Sequence, residues 1–183
     1  PKLEPEKAKQ KSIGFVLAPT RNSNLTVDWW QIERIHTIRS GFSLATMKAN
    51  YPLYASNFIR DSGGNIIAID QRYINTGGTL NRGIEVDGNI GGKLAGGMWN
   101  LHLNGNYLTT FRTKSFDSRP YSDNLVGSYD PYFNLPIKWK HTLGFSWNKG
   151  NWSQTLTQIY RGGYKDWQPP GIANGYRPPD YNP

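Results

Sequence analysis

Residues 99–112 read Trp99-Asn100-Leu101-His102-Leu103-Asn104-Gly105-Asn106-Tyr107-Leu108-Thr109-Thr110-Phe111-Arg112. The odd positions hold Trp99, Leu101, Leu103, Gly105, Tyr107, Thr109 and Phe111. The even positions hold Asn100, His102, Asn104, Asn106, Leu108, Thr110 and Arg112. A β-strand sends successive side chains to opposite faces, so this alternation predicts one strand with an apolar, aromatic-ended face and an amide-and-hydroxyl face. Its length is about twice the usual 5–6 residues. A strand that long, apolar on one side and wet on the other, calls for an unusual environment.

The same period recurs on both sides. Ile13, Phe15 and Leu17 alternate with Ser12, Gly14 and Val16. Leu25, Val27 and Trp29 oppose Thr26 and Asp28, and the phase slips at Trp29-Trp30, by a bulge or by a strand apolar on both faces. Leu80, Ile84, Val86 and Ile90 oppose Asn81, Gly83, Glu85, Asp87 and Asn89. Trp139, His141, Leu143, Phe145 and Trp147 oppose Lys140, Thr142, Gly144, Ser146 and Asn148. Trp152, Leu156 and Tyr160 mark a less regular last strand. Six strands are expected, over 11–18, 25–35, 79–90, 98–112, 138–148 and 151–161. Turn residues separate them at 18–24, 91–97 and 149–151. Ile35, Ile38, Phe42 and Ala45 have helical spacing, which predicts one short helix over 35–47 inside a long connection. A local strand is expected at 66–73, after Asp61-Ser62-Gly63-Gly64-Asn65.

Connection lengths carry the organisation. The turns after the first, third and fifth strands are short, whereas the connections after the second and fourth, and the stretch after the sixth, are long. All short turns therefore lie at one end of an antiparallel up-and-down meander and all long loops at the other, the layout of a transmembrane β-barrel. Trp99, Trp147 and Trp152 fall at the short-turn end; Phe111, Trp139 and Tyr160 fall toward the long-loop end. Eight residues separate Trp139 from Trp147, ~26 Å along a strand and ~20 Å after a 40° tilt, near the apolar band between two aromatic girdles.

Composition narrows the alternatives. The chain has 183 residues, a net charge of +8 and no cysteine, which excludes disulfides, thiolate metal sites and a cysteine nucleophile. Its basic residues are scattered and accompany no nucleic-acid motif, so no nucleic-acid partner is expected. No apolar run approaches the ~20 residues of a membrane helix. His102 and His141 point to opposite faces of their strands and cannot readily share a metal. Gly88-Asn89-Ile90-Gly91-Gly92-Lys93 lacks the spacing of a phosphate loop. Glu85 and Asp87 share a face, as polar wall residues do, and no Ser-His-Asp set can be assembled. Neither an enzyme nor a bound cofactor is expected.

Several motifs resemble one family. Leu3-Glu4-Pro5-Glu6-Lys7-Ala8-Lys9, then Gly14-Phe15-Val16-Leu17-Ala18-Pro19-Thr20-Arg21 with Leu25-Thr26-Val27-Asp28-Trp29-Trp30-Gln31-Ile32-Glu33, then Asn75-Thr76-Gly77-Gly78-Thr79 with Arg82-Gly83-Ile84-Glu85-Val86-Asp87, are similar in order and spacing to the C-terminal part of the barrel of TonB-dependent outer-membrane receptors. The resemblance implies a 22-strand barrel closed around a plug domain. It also implies energised import through TonB of a scarce ligand, commonly a ferric siderophore, haem, cobalamin or a glycan. The plug, the TonB-contacting segment and the last strands are not in this stretch, so a barrel segment is expected, partnered by outer-membrane lipid, the plug and the remaining strands. The long loops are mildly basic and aromatic, which suits an anionic siderophore-like ligand or lipopolysaccharide phosphates; Arg119, Tyr121, Tyr129, Tyr132, Phe133, Tyr164 and Trp167 are the candidate ligand contacts. Two other readings stand beside this one: a soluble β-domain that binds carbohydrate through exposed aromatics, and a passive porin-type barrel.

Overall fold

The computed structural model describes residues 3–39, 44–129 and 135–166. The strands are β1 (Lys7–Thr20), β2 (Ser23–Ile35), β3 (Ile38–Arg39), β4 (Phe58–Arg60), β5 (Ile66–Ile69), β6 (Ile74–Asn75), β7 (Gly78–Leu94), β8 (Gly97–Lys114), β9 (Trp139–Lys149) and β10 (Trp152–Arg161). Two short helices, α1 (Leu44–Ala49) and α2 (Tyr51–Tyr54), lie between β3 and β4. The long strands form one sheet in the order β1-β2-β7-β8-β9-β10, so neighbours in the sheet are successive long strands. This is the all-β antiparallel meander expected of part of a barrel.

The first four long strands run further than their alternation indicates, and the turns shrink accordingly. Only Arg21 and Asn22 separate β1 from β2, Ala95 and Gly96 separate β7 from β8, and Gly150 and Asn151 separate β9 from β10. The sequence expectation of broad turns at 18–24 and 91–97 is therefore corrected. Two-residue hairpin turns favour left-handed backbone, which matches the twist of the strands. In the second and third turns Ala95 (φ 49°), Gly96 (φ 75°) and Gly150 (φ 55°) supply it, whereas neither Arg21 nor Asn22 takes positive φ.

The chain divides into two compact units. The first comprises Pro1–Gln10, Ile32–Leu80 and Thr113–Ser122. Its core is Met47, Tyr54 and Phe58, with Ile69 and Phe116 packed on it. The helix expected over 35–47 is corrected here. Ile35 ends β2 and Ile38 pairs with Asn75 in the small β3–β6 ladder, so 35–39 is not helical; α1 covers Leu44–Ala49, and Phe42 lies outside the described residues. The spacing of Ile35 and Ile38 suits a helix, but the backbone bonds are taken elsewhere: Thr37 N–H donates to the Gly77 carbonyl and Ile38 N–H to Glu6 Oε1. Of the strand expected over 66–73 only β5 forms, paired with β4; β6 lies just beyond that range and pairs with β3.

Asn75 organises this unit. Its Nδ2 donates to the carbonyls of Glu4 and His36, both at 2.8 Å, and its Oδ1 accepts the Glu4 N–H at 2.7 Å. Thr76 beside it pairs with Thr37, hydroxyl to hydroxyl at 3.0 Å. Several residues that carry the family resemblance, Glu4, Glu6, Asn75 and Thr76, thus hold the backbone of this unit together.

The second unit comprises Lys11–Gln31, Asn81–Arg112 and Asp123–Pro183. The β8–β9 register opposes Trp99 to Trp147, Leu101 to Phe145, Leu103 to Leu143, Gly105 to His141 and Tyr107 to Trp139. The intervening rows oppose Asn100 to Ser146, Asn104 to Thr142 and Asn106 to Lys140. Each face is thus continuous across both strands. On the apolar face Leu17, Leu25, Ile90, Leu101 and Leu103 line one shallow depression with almost no polar surface. The phase slip at Trp29-Trp30 resolves as a strand apolar on both faces. Trp29 is exposed, whereas the Trp30 ring lies over Gly83, where a β-carbon would stand 2.6 Å from Cζ2. Glycine at 83 is what admits the ring.

Candidate functional site

The polar face of the second unit is a wall of paired amides and carboxylates. Period-two alternation puts Glu85, Asp87 and Asn89 of β7 on it, beside Asn100, His102, Asn104 and Asn106 of β8. Asn100 Nδ2 donates to Asn89 Oδ1 at 2.7 Å, Asn104 Nδ2 to Asp87 Oδ2 at 3.1 Å and Asn106 Nδ2 to Glu85 Oε1 at 3.3 Å. His102 Nε2 lies 3.6 Å from Asp87 Oδ2. Glu85 and Asp87 are thereby tied to neighbouring side chains on this face.

The opposite face holds the aromatic positions. Trp99 stacks on Phe145 at 6.4 Å, and Trp147 donates its indole N–H to the Leu94 carbonyl at 2.9 Å. Trp152 is exposed and opposes Lys149. At the other end Trp139 lies over Gly105 and donates to His141 Nδ1 at 2.9 Å, and His141 stacks on Tyr160 at 5.2 Å. His141 is thus engaged by aromatic neighbours. Phe111 stands where the chain folds back: its N–H donates to Asn124 Oδ1 and its carbonyl accepts the Leu125 N–H. Arg82, charged on the apolar face, donates through Nε to Gln31 Oε1 at 2.7 Å. Among the described residues no group of three or more His, Cys, Asp or Glu could hold a metal.

The candidate loop residues fall into the two units. In the first, Arg119 N–H closes a turn onto the Phe116 carbonyl. Tyr121 donates its hydroxyl to Glu33 Oε1 at 2.9 Å, with Lys114 Nζ 5.3 Å from its ring centroid. Burial, and then the bond to Glu33, push the Tyr121 phenol up to about 12. Asp117 joins the same cluster, 3.2 Å from Lys114 Nζ and 3.1 Å from His36 Nδ1. His36 takes left-handed backbone (φ 55°) and also stands 4.0 Å from Glu4. Elsewhere in this unit Asp70 is held well below the carboxylate range by the Arg72 side chain.

In the second unit, Tyr129 and Tyr164 are 39% and 54% exposed. Tyr129 N–H donates to the Lys165 carbonyl and Lys165 N–H to that of Gly127, both at 2.8 Å, so the segment after β10 is stitched to the β8–β9 loop. Tyr132, Phe133 and Trp167 lie outside the described residues. Sequence reasoning missed Glu33 as the partner of Tyr121, and missed Trp30, Lys140 and Arg161, which line one depression on the polar face. The two-residue turn at Gly150-Asn151 signals the last pairing, because it opposes Arg161 to Lys140 directly.

A family model described as "TonB dependent receptor-like, beta-barrel" matches residues 1–182. No curated protein and no solved structure matches the chain.

Proposed function

We propose that this chain, which belongs to the TonB-dependent receptor-like β-barrel family, is a stretch of wall and outer loop in an importer of a scarce anionic ligand such as a ferric siderophore. Members of the family are outer-membrane transporters, with a plug, TonB and a ligand as their general partners. In this reading Trp99, Leu101, Leu103 and Phe111 face lipid. Asn100, His102, Asn104 and Asn106 face the lumen and plug. Trp99, Trp147 and Trp152 form the inner girdle, and Phe111, Trp139 and Tyr160 the outer one. Arg119, Tyr121, Tyr129, Tyr132, Phe133, Tyr164 and Trp167 contribute to ligand capture.

The observation that carries the reading is the β8–β9 register. It matches apolar to apolar or polar to polar residues in seven of ten consecutive pairs, the exceptions being Met98 with Asn148, His102 with Gly144 and Gly105 with His141. A sheet with one apolar face and one amide face is what a lipid-embedded wall around a wet lumen requires.

The test is fractionation followed by uptake. The native protein should sediment with outer membranes and need detergent for release. Uptake of a radiolabelled ferric siderophore should stop when its gene is deleted and when the inner membrane is de-energised. Recovery as a folded monomer in the aqueous fraction would sink the barrel reading. Solute passage that continues without TonB would point to a passive pore.

A further inference from the structure

At the long-loop end of the polar face the pairing pattern changes. In the β7–β8 rows Glu85 and Asp87 each accept an asparagine amide. In the β9–β10 ladder Lys140 and Arg161 are direct partners, and alternation puts both on the polar face. Like charges directly opposite one another destabilise a strand pair. Among the described residues neither makes an ion pair or side-chain hydrogen bond. Both line an open depression of about 450 Å³ whose other walls include Trp30, Leu108, Leu135 and Pro136. The Trp30 indole nitrogen is buried and has no hydrogen-bond partner among the described residues. Two cations without a counter-ion thus share a depression with an apolar, partly aromatic surface.

We propose that this depression is a binding subsite for a small organic anion, with a carboxylate or phosphate held by Lys140 and Arg161 and a flat apolar body lying against Trp30, Leu108 and Pro136. The subsite deepens the importer reading and rests on it for the ligand's arrival from outside. An oxyanion between the two side chains turns a repulsive pair into two charge-assisted hydrogen bonds. Arg161 offers a planar fork and Lys140 a point charge, so the group need not be symmetric. The apolar wall gives selectivity for anions that carry a hydrophobic body over inorganic ones.

The full-length receptor in detergent, with protein-free micelles subtracted, is titrated with 2-naphthoate and with neutral 2-naphthalenemethanol, and binding is read by saturation-transfer NMR. The native receptor should prefer naphthoate by about tenfold, the equivalent of one good charge-assisted contact. The K140Q/R161Q double variant should lose that preference, and K140R should keep it. An unchanged preference in the double variant overturns the proposal. Thermal melting without ligand supplies the second readout. Removing opposed like charges should leave Tm equal or raise it; a lower Tm would mean that a carboxylate of the receptor itself is the counter-ion, which also overturns the proposal. Neither readout needs transport. Failed uptake with intact naphthoate preference therefore sinks the importer reading alone, and intact uptake without the preference sinks the subsite alone.

Discussion

Tyr121 shows how a loop residue is tuned by its surroundings. Its phenol is raised to about 12 by burial and by donation to Glu33. A group whose folded pKa lies above its ordinary value adds stability that is complete below that ordinary value and lost as pH rises through the folded one. The Tyr121–Glu33 contact should therefore hold across neutral pH and fail only between about pH 10 and pH 12. Following phenolate absorbance, Tyr54, which burial also raises, should titrate after the exposed tyrosines, and so should Tyr121. Glu33→Gln should bring it partway down, because burial remains; no change in that variant would remove Glu33 as a cause. Asn75 makes a different kind of contribution, with three bonds to backbone groups of Glu4 and His36. Asn75→Leu strands those groups and should cost about 1–3 kcal/mol, measured by denaturant unfolding of the receptor. Asn75→Asp, which keeps only the acceptor, should fall between the two. The residues that make the family recognisable are thus legible as motifs, yet their physical role is backbone support, which no motif states.

At the scale of the element, β8 and β9 decide the reading. Leu103 opposes Leu143 on the apolar face and Asn104 opposes Thr142 on the polar one. Leu103→Arg should cost about 2–4 kcal/mol in a lipid-embedded barrel, and Asn104→Arg far less. Equal tolerance in a membrane folding assay would refute the face assignment. Both faces are legible because the side-chain period of a strand is two, so a polar position written in sequence stays polar in space. The helix near Ile35 was misplaced for the converse reason. Two apolar residues three apart share a face only in a helix, yet Glu6 and Gly77, distant in sequence, take the backbone bonds of Thr37 and Ile38. Turn lengths were overestimated because Pro19, Gly91 and Gly92 read as loop residues, although β1 and β7 continue through them. Across the long β8–β9 connection the register is not legible, since no short turn fixes which residues oppose. Within β9–β10 the two-residue turn does fix it, and so brings Lys140 and Arg161 together.

For the whole molecule, the consequence of the meander is sidedness. The three hairpin turns are two residues each; the connections between β2 and β7 and between β8 and β9 carry the small strands, the helices and the candidate capture residues other than Tyr164 and Trp167, which follow β10. If the long strands span a membrane, the short turns face the periplasm and the long connections face the medium. This stretch contributes no cysteine, so in a receptor made cysteine-free elsewhere a single introduced thiol reports its position. Ser62→Cys and Ser118→Cys lie in the long connections; Asn22→Cys and Asn151→Cys lie in the short turns. Treated as intact cells with a membrane-impermeant maleimide, the first pair should label fully, and the second only after the outer membrane is opened. Leu103→Cys should stay unlabelled in lipid and react once the receptor is denatured in detergent. Equal labelling of Asn22→Cys and Ser62→Cys in intact cells would reject a membrane-crossing meander. Labelling of Asn22→Cys alone would keep the barrel but invert it, which the strict alternation of short and long connections argues against.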